Sequence, residues 1–235
     1  MPLVFDSAPV LDHGYVKLVE HWGCDESIIS AARMSTGKGF VAWGDAAAPG
    51  CEKLLRYLWE NNHATPFEMA GAIFEVQAPI FVFREWHRHR TQSYNELSAR
   101  YTEMPEQFYM PSIERLERAG QSKTNKQAGD DELNPYTALI AQTAIVDCQK
   151  AANAMYRQLL EMGVAREVAR VVLPVGQYSR MRASASLRNW LSFVTLRDAP
   201  NAQWEIRQYA KLVLAALASC FPRTCALFAE THRPG

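Results

Sequence analysis

Between Arg84 and Tyr101, eighteen residues hold four arginines, two histidines, two glutamates and two serines. Almost nothing between Trp86 and Tyr101 is of a type that packs a core. Such polarity beside an apolar strand is costly to bury without partners, which points to a charged ligand. Guanidinium forks take phosphate oxygens in pairs, and charge-assisted bonds of this kind are about twice as strong as neutral ones. Glu96 adds an acceptor for ring N–H groups or sugar hydroxyls. Ser98 and nearby backbone N–H groups add small donors suited to phosphate oxygens. His87 and His89 flank Arg88 in an H-x-H pattern, but no third ligand lies nearby in sequence, so a metal site is not expected.

The rest of the chain must hold this segment in place. The protein has 235 residues, with 25 Lys and Arg balancing 25 Asp and Glu, so overall charge points to neither a nucleic-acid nor a membrane partner. No apolar run reaches the length of a membrane span. The stretch MPLVFDSAPVLDHGY lacks the basic and apolar regions of a signal peptide. Cys24, Cys51, Cys148, Cys220 and Cys225 are odd in number and widely spaced, as expected of reduced packing thiols. These features together predict a cytoplasmic protein.

Residues 12–20 alternate as a first strand, and Asp25 is placed to cap a helix through SIISAARMS. KGFVAWGDAAAPG reads as a loop and CEKLLRYLWENN as an amphipathic helix on Leu54, Leu55 and Leu58. In residues 71–78, Ala72, Phe74, Val76 and Ala78 share one face of a half-buried strand. Pro79 ends it and can start a helix carrying Ile80, Phe83 and Trp86 or His87 at helical spacing. Residues 117–132 lack any large apolar side chain and read as a mobile surface insertion. Asn134-Pro135 and Gly163 frame one long helix. VAREVARVVL predicts a second, stopped by Pro174, and AQWEIRQYAKLVLAALASCF a third, stopped by Pro222. No boundary separates two cores. One α+β domain over residues 1–235, a central sheet flanked by long helices, fits best.

Arg88-His89-Arg90-x-x-Ser93-x-Asn95-Glu96-x-Ser98-x-Arg100-Tyr101 resembles the signature of the flavin-dependent (ThyX) thymidylate synthases at every fixed position. The resemblance runs from about Gly14 to Ala229. It takes in SAARMS, His63-Ala64-Thr65-Pro66-Phe67-Glu68, APIFVFREW, AREVARVVLP and Leu196-Arg197 with its following AQWEI. It implies that dTMP is made from dUMP. Methylenetetrahydrofolate would donate the one-carbon unit, and NADPH would reduce FAD as the hydride source. It also implies a homotetramer whose active sites combine residues of neighbouring subunits.

By the same resemblance, Glu85, Trp86, His87, Arg88, Glu96, Leu97, Ser98, Ala99, Arg100, Arg170 and Arg197 lie around dUMP, with Arg197 catalytic at the pyrimidine edge. Arg100 and Arg170 then supply two forks for the phosphate. FAD falls to His63, Thr65, Glu68, Arg88, His89, Arg90, Thr91, Glu96, Ser186, Arg188, Ser192 and Asn201. Ser186, Ser192 and Asn201 depart from common family residues, and Asn189 is a possible substitute donor. No GxGxxG follows a strand, so a Rossmann flavin site is not expected. No cysteine has the Pro-Cys-His context of cysteine-dependent synthases, and Ser98 lacks an adjacent general base. Reduced flavin in place of covalent cysteine chemistry is consistent with both. The competing possibility is a non-catalytic nucleotide- or RNA-binding module in which Tyr94 and Tyr101 stack on bases.

Overall fold

The computed structural model describes residues 7–44, 50–123, 129–232 and 234. Its centre is an antiparallel sheet in the order β1-β2-β3-β7-β4, formed by β1 (Ala8–Val10), β2 (Gly14–Trp22), β3 (Gly71–Pro79), β7 (Tyr178–Ser186) and β4 (Ser93–Glu96). A second ribbon pairs β5 (Gly120–Gln121) with β6 (Gly129–Asp131). The helices are α1 (Asp25–Arg33), α2 (Gly50–Glu60), α3 (Ile80–Trp86), α4 (Ile113–Glu117), α5 (Pro135–Glu161), α6 (Arg166–Ala169), α7 (Leu187–Arg197), α8 (Trp204–Cys220) and α9 (Pro222–Thr231). This is the expected α+β fold.

Alternation makes the sheet two-faced. Val16, Leu18, Phe74, Val76, Met181 and Ala183 are buried, while Lys17, Arg180 and Arg182 point outward. The buried face meets α7 and α8 through an aromatic cluster. Trp86 lies 4.4 Å from Phe193 and Phe74 lies 4.9 Å from Trp190 by ring centroid. Trp190 Nε1 donates to the Ala72 carbonyl at 2.9 Å, so the indole fastens α7 to β3 without leaving a polar atom unpaired. β3 pairs along its whole length with β7, and β7 runs straight into α7. The helix carrying Arg197 is therefore hung from the strand beside the polar segment.

The strand over residues 12–20 appears as β2, and the expected α2, β3 and α3 are present. Asn134 caps α5, its side chain accepting from Thr137 N at 2.9 Å, and Gly163 follows the helix at φ 81. Residues 45–49 of the KGFVAWGDAAAPG loop and residues 124–128 of the 117–132 segment lie outside the described residues. The described ends of the latter form the β5–β6 ribbon.

Three expectations change. Cys24, not Asp25, stands at the N-cap of α1. Asp25 is buried and caps α9 instead, accepting from Arg223 N at 2.9 Å, Thr224 N at 3.1 Å and Thr224 Oγ1 at 2.6 Å. VAREVARVVL gives only α6 and a single 3-10 turn, Arg170–Val172, with Leu173 extended. The residue before a proline is pushed out of helical geometry, and two valines weaken the last turn. Pro222 stops α8 as expected but at once begins α9, where its missing N–H is no loss.

Candidate active site

The polar segment leaves α3 as a turn and returns as β4 against β7. Tyr94 holds that turn: its hydroxyl donates to the carbonyls of His89 at 2.7 Å and Trp86 at 3.1 Å. Burial raises its phenol to about 12, so it stays a donor at neutral pH. Its ring also meets His87 edge-on at 4.8 Å. Tyr94 is thus built into the loop and is not free to stack on a base. Tyr101 remains 80% exposed.

The segment is also less exposed than its composition implies. Trp86, His89, Gln92 and Ala99 are buried. Trp86, expected at the substrate, has its indole in the core, where Nε1 donates to Gln92 Oε1 at 3.1 Å. His87 packs flat on Phe83 at 6.1 Å.

Arg197 comes from the last residue of α7 and reaches this turn. Its Nη1 donates to Glu85 Oε2 at 2.6 Å, its Nη2 to the Glu85 carbonyl at 2.9 Å and its Nε to His89 Nε2 at 2.8 Å. The guanidinium side chain is only 16% exposed. Burial, and then the Arg197 cation, lower the His89 imidazole to about 4. His89 is therefore neutral at physiological pH, with Nε2 as acceptor and the proton on Nδ1. The resemblance assigned His89 to flavin and Glu85 to substrate; here both first hold Arg197.

Glu96, at the end of β4, accepts from Ser179 Oγ at 2.7 Å, and Leu97 N donates to the Arg180 carbonyl at 2.7 Å. Glu96 and Leu97 line a cavity of about 340 Å³ with Arg180 and Arg182. Ser98 Oγ accepts from Arg100 N at 3.3 Å, as in a capped turn. Among the described residues no base is hydrogen-bonded to this hydroxyl. Arg100 Nε stands 3.5 Å from Glu167 Oε2, and Arg170 Nε is 3.4 Å from the Glu167 carbonyl. The two expected phosphate forks therefore meet at one glutamate, both largely exposed.

Three of the twelve expected flavin residues lie on a second, larger cleft of about 960 Å³, and the other nine are not among its lining. His63, Arg188 and Ser192 line it, together with the apolar walls of Trp59, Phe67 and Phe228. His63 follows the end of α2, and its ring meets Tyr57 at 5.6 Å. Arg188 Nη1 pairs with Glu68 Oε1 at 2.5 Å. Arg88, Arg90, Thr65 and Thr91 are exposed, and Asn189 Nδ2 donates to the Thr91 carbonyl at 3.4 Å. Asn201 is exposed on the turn before α8. Ser186 Oγ, at the N-cap of α7, is buried with no hydrogen-bond partner. The apolar wall of Trp59, Phe67 and Phe228, with Arg188 and His63 at its edge, fits the flat ring system of a cofactor such as FAD. Among the described residues no cluster of three metal-ligating side chains occurs.

Sequence reasoning missed Ser179 as the partner of Glu96, and Glu85 and His89 as the partners of Arg197. No local signal could have found these pairs, since 83, 112 and 108 positions separate them.

Comparison with known proteins identifies the family. The family model described as "Thymidylate synthase complementing protein" (Thy1) matches residues 17–223. The flavin-dependent thymidylate synthase of Thermus thermophilus is 44% identical over 94% of this chain and 78% of its own. That of Thermosipho africanus is 39% identical over 92% of this chain and 89% of its own. Among solved structures, the UMP/dUMP methylase PolB from Streptomyces cacaoi, bound with 5-Br dUMP, superposes with a TM-score of 0.82 at 32% identity, covering 97% of this chain and 99% of that one. The chain belongs to the flavin-dependent thymidylate synthase family.

Proposed function

We propose that the protein is a flavin-dependent thymidylate synthase, a methyltransferase that converts dUMP, methylenetetrahydrofolate, NADPH and a proton into dTMP, tetrahydrofolate and NADP⁺. The observation that carries this reading is Arg197, a largely buried guanidinium held in a fixed orientation by Glu85 and His89. Methylene transfer needs electron density at C5 of uracil. Negative charge on N3–O2 raises that density, and a preorganised cation favours that charge. A guanidinium is a permanent cation, so it acts as an electrostatic partner and not as a proton shuttle.

Arg100 and Arg170 hold the phosphate, displacing Glu167. Ser98, the Ala99 backbone and Leu97 set the depth of the nucleotide, and Glu96, oriented by Ser179, takes a sugar or ring donor. FAD, when bound, supplies the hydride that completes the methyl group. Arg88, Arg90, Arg188, Thr65, Thr91, Ser186, Ser192 and Asn201 hold its polar parts, and His63 stands beside the ring with Trp59 and Phe67 behind it. His89 is left out of that set, its ring being taken by Arg197 and its carbonyl by Tyr94 and Gln92.

A homotetramer is part of the proposal. Along α5, Tyr136, Leu139, Ile140 and Met155 are exposed, an apolar surface that self-association would cover. Free cysteines support a cytoplasmic setting. Among the described residues no helix is long and apolar enough to cross a membrane.

The test is tritium release from [5-³H]dUMP with FAD, NADPH and methylenetetrahydrofolate, each omitted in turn, and with UMP as the comparison substrate. Release that needs all three is expected. Tight nucleotide or RNA binding by a colourless protein without release would contradict the reading.

A further inference from the structure

We propose that His232 and the buried Asp198 form a positioning pair for Arg197, locking the end of α7 on which that guanidinium is carried. This rests on the reading that Arg197 acts on the pyrimidine. Asp198 follows Arg197 directly and caps α7, its N–H donating to the Val194 carbonyl at 2.8 Å. Its carboxylate is 2% exposed, a placement that aspartate seldom takes without a partner.

The partner comes from the far end of the chain. His232 Nε2 lies 2.9 Å from Asp198 Oδ2, and the ring itself is 6% exposed. Lys211 of α8 stands 3.9 Å from the other carboxylate oxygen. His232 stacks on Phe228 at 4.6 Å, with the planes 21° apart, and its N–H donates to the Phe228 carbonyl at 2.9 Å. The ring is thus fixed before it meets the carboxylate.

α9 then acts as a strap fastened at both ends. Its first turn is held to α1 by Asp25, and its end is held to α7 by His232. From the other side, Arg207 of α8 donates to the Pro200 carbonyl at 3.0 Å, steadying the same turn. The Arg197 fork makes three bonds at once, to Glu85 Oε2, the Glu85 carbonyl and His89 Nε2, and movement of the helix end that carries it would misalign all three. A shift of about 1 Å at a catalytic group can cost on the order of a hundredfold in rate. His232 and Phe228 also line the large cleft with Leu196 and Ala199, so a ligand filling that cleft presses on the same strap.

The experiment compares His232→Ala, His232→Gln and Asp198→Asn holoenzymes with wild type by steady-state kinetics and by ultraviolet difference spectra of bound dUMP, which report charge on the N3–O2 edge. His232→Ala is expected to lower kcat about tenfold with KM for dUMP within about twofold, and to weaken the difference spectrum. His232→Gln, whose amide can still donate to the carboxylate, is expected to recover most of both. An active wild type matched by His232→Ala would overturn the pair alone, and so would equal losses in the Ala and Gln variants. A wild type that releases no tritium from dUMP would overturn the activity, and the pair's role with it.

Discussion

The Nε–H of Arg197 donates to Nε2 of His89 at 2.8 Å, across 108 positions of sequence. A guanidinium can only donate, so this bond exists only while His89 is neutral. The fork of Arg197 is completed by the Glu85 carboxylate and carbonyl. The guanidinium proposed to act on the pyrimidine is therefore oriented by the protein's own groups.

A pH dependence follows from that bond. His89 titrates near 6.5 when unfolded and near 4 when folded. Above about 6.5 both states are neutral and the full stabilisation is present. As pH falls below that value, the unfolded chain takes up a proton that the folded protein refuses. Stability is lost progressively until about pH 4, where the folded protein is protonated as well. Denaturant unfolding of wild type and His89→Gln at pH 7 and pH 4.5 should show the larger loss in wild type. Equal losses would show that His89 is not held neutral.

Substrate affinity should depend on the two arginines at Glu167. If the two arginines hold the phosphate as proposed, Arg100→Ala and Arg170→Ala should each cost a charge-assisted contact worth about 1.5–3 kcal/mol. Deoxyuridine, lacking the phosphate, should be unaffected by either. Glu167→Gln should tighten dUMP only slightly, because an exposed ion pair is worth about 0.2–1 kcal/mol. Calorimetric titration of the three variants separates these effects, and unchanged dUMP affinity in both alanine variants would contradict the phosphate assignment.

Fold stability should depend on Asp25, which lies outside the candidate site. Asp25→Ala leaves two backbone N–H groups at the start of α9 and the Thr224 hydroxyl without their acceptor. A lost cap and its unsatisfied donors cost about 1–3 kcal/mol. Thermal unfolding should show that loss, with dUMP affinity near normal at low temperature. An unaltered melting midpoint would mean that the cap is dispensable.

Most of what sequence revealed about this fold is local. β3 was legible because Ala72, Phe74, Val76 and Ala78 alternate, and α5 because Asn134-Pro135 and Gly163 mark its ends. β7 went unread, since in YSRMRASAS two arginines and three serines mask its small apolar face. α9 was hidden because Pro222 reads as a stop and serves equally as a first helical residue. The site divides in the same way. The arginines proposed for the phosphate and the serine turn lie in short motifs. The partners of Arg197 are brought together only by the β3–β7 pairing and the packing of α7, which no spacing records. Burial of His89 and Gln92 within a segment so polar likewise depends on packing by Phe193 and Trp86, supplied from the core.

A fixed guanidinium, and no enzyme nucleophile, is proposed to activate dUMP. Single-turnover oxidation of the reduced flavin, with dUMP and methylenetetrahydrofolate present, tests it in Arg197→Ala, Arg197→Lys and Ser98→Ala. Arg197→Ala should be slower by about 10²–10³, the usual cost of losing one preorganised electrostatic contact. Arg197→Lys should also be slow, because it keeps a charge but loses the fork to Glu85 and His89, and both variants should still bind FAD. Ser98→Ala should retain measurable turnover. Complete loss in Ser98→Ala alongside near-normal rates in Arg197→Ala would contradict the account and restore a serine nucleophile.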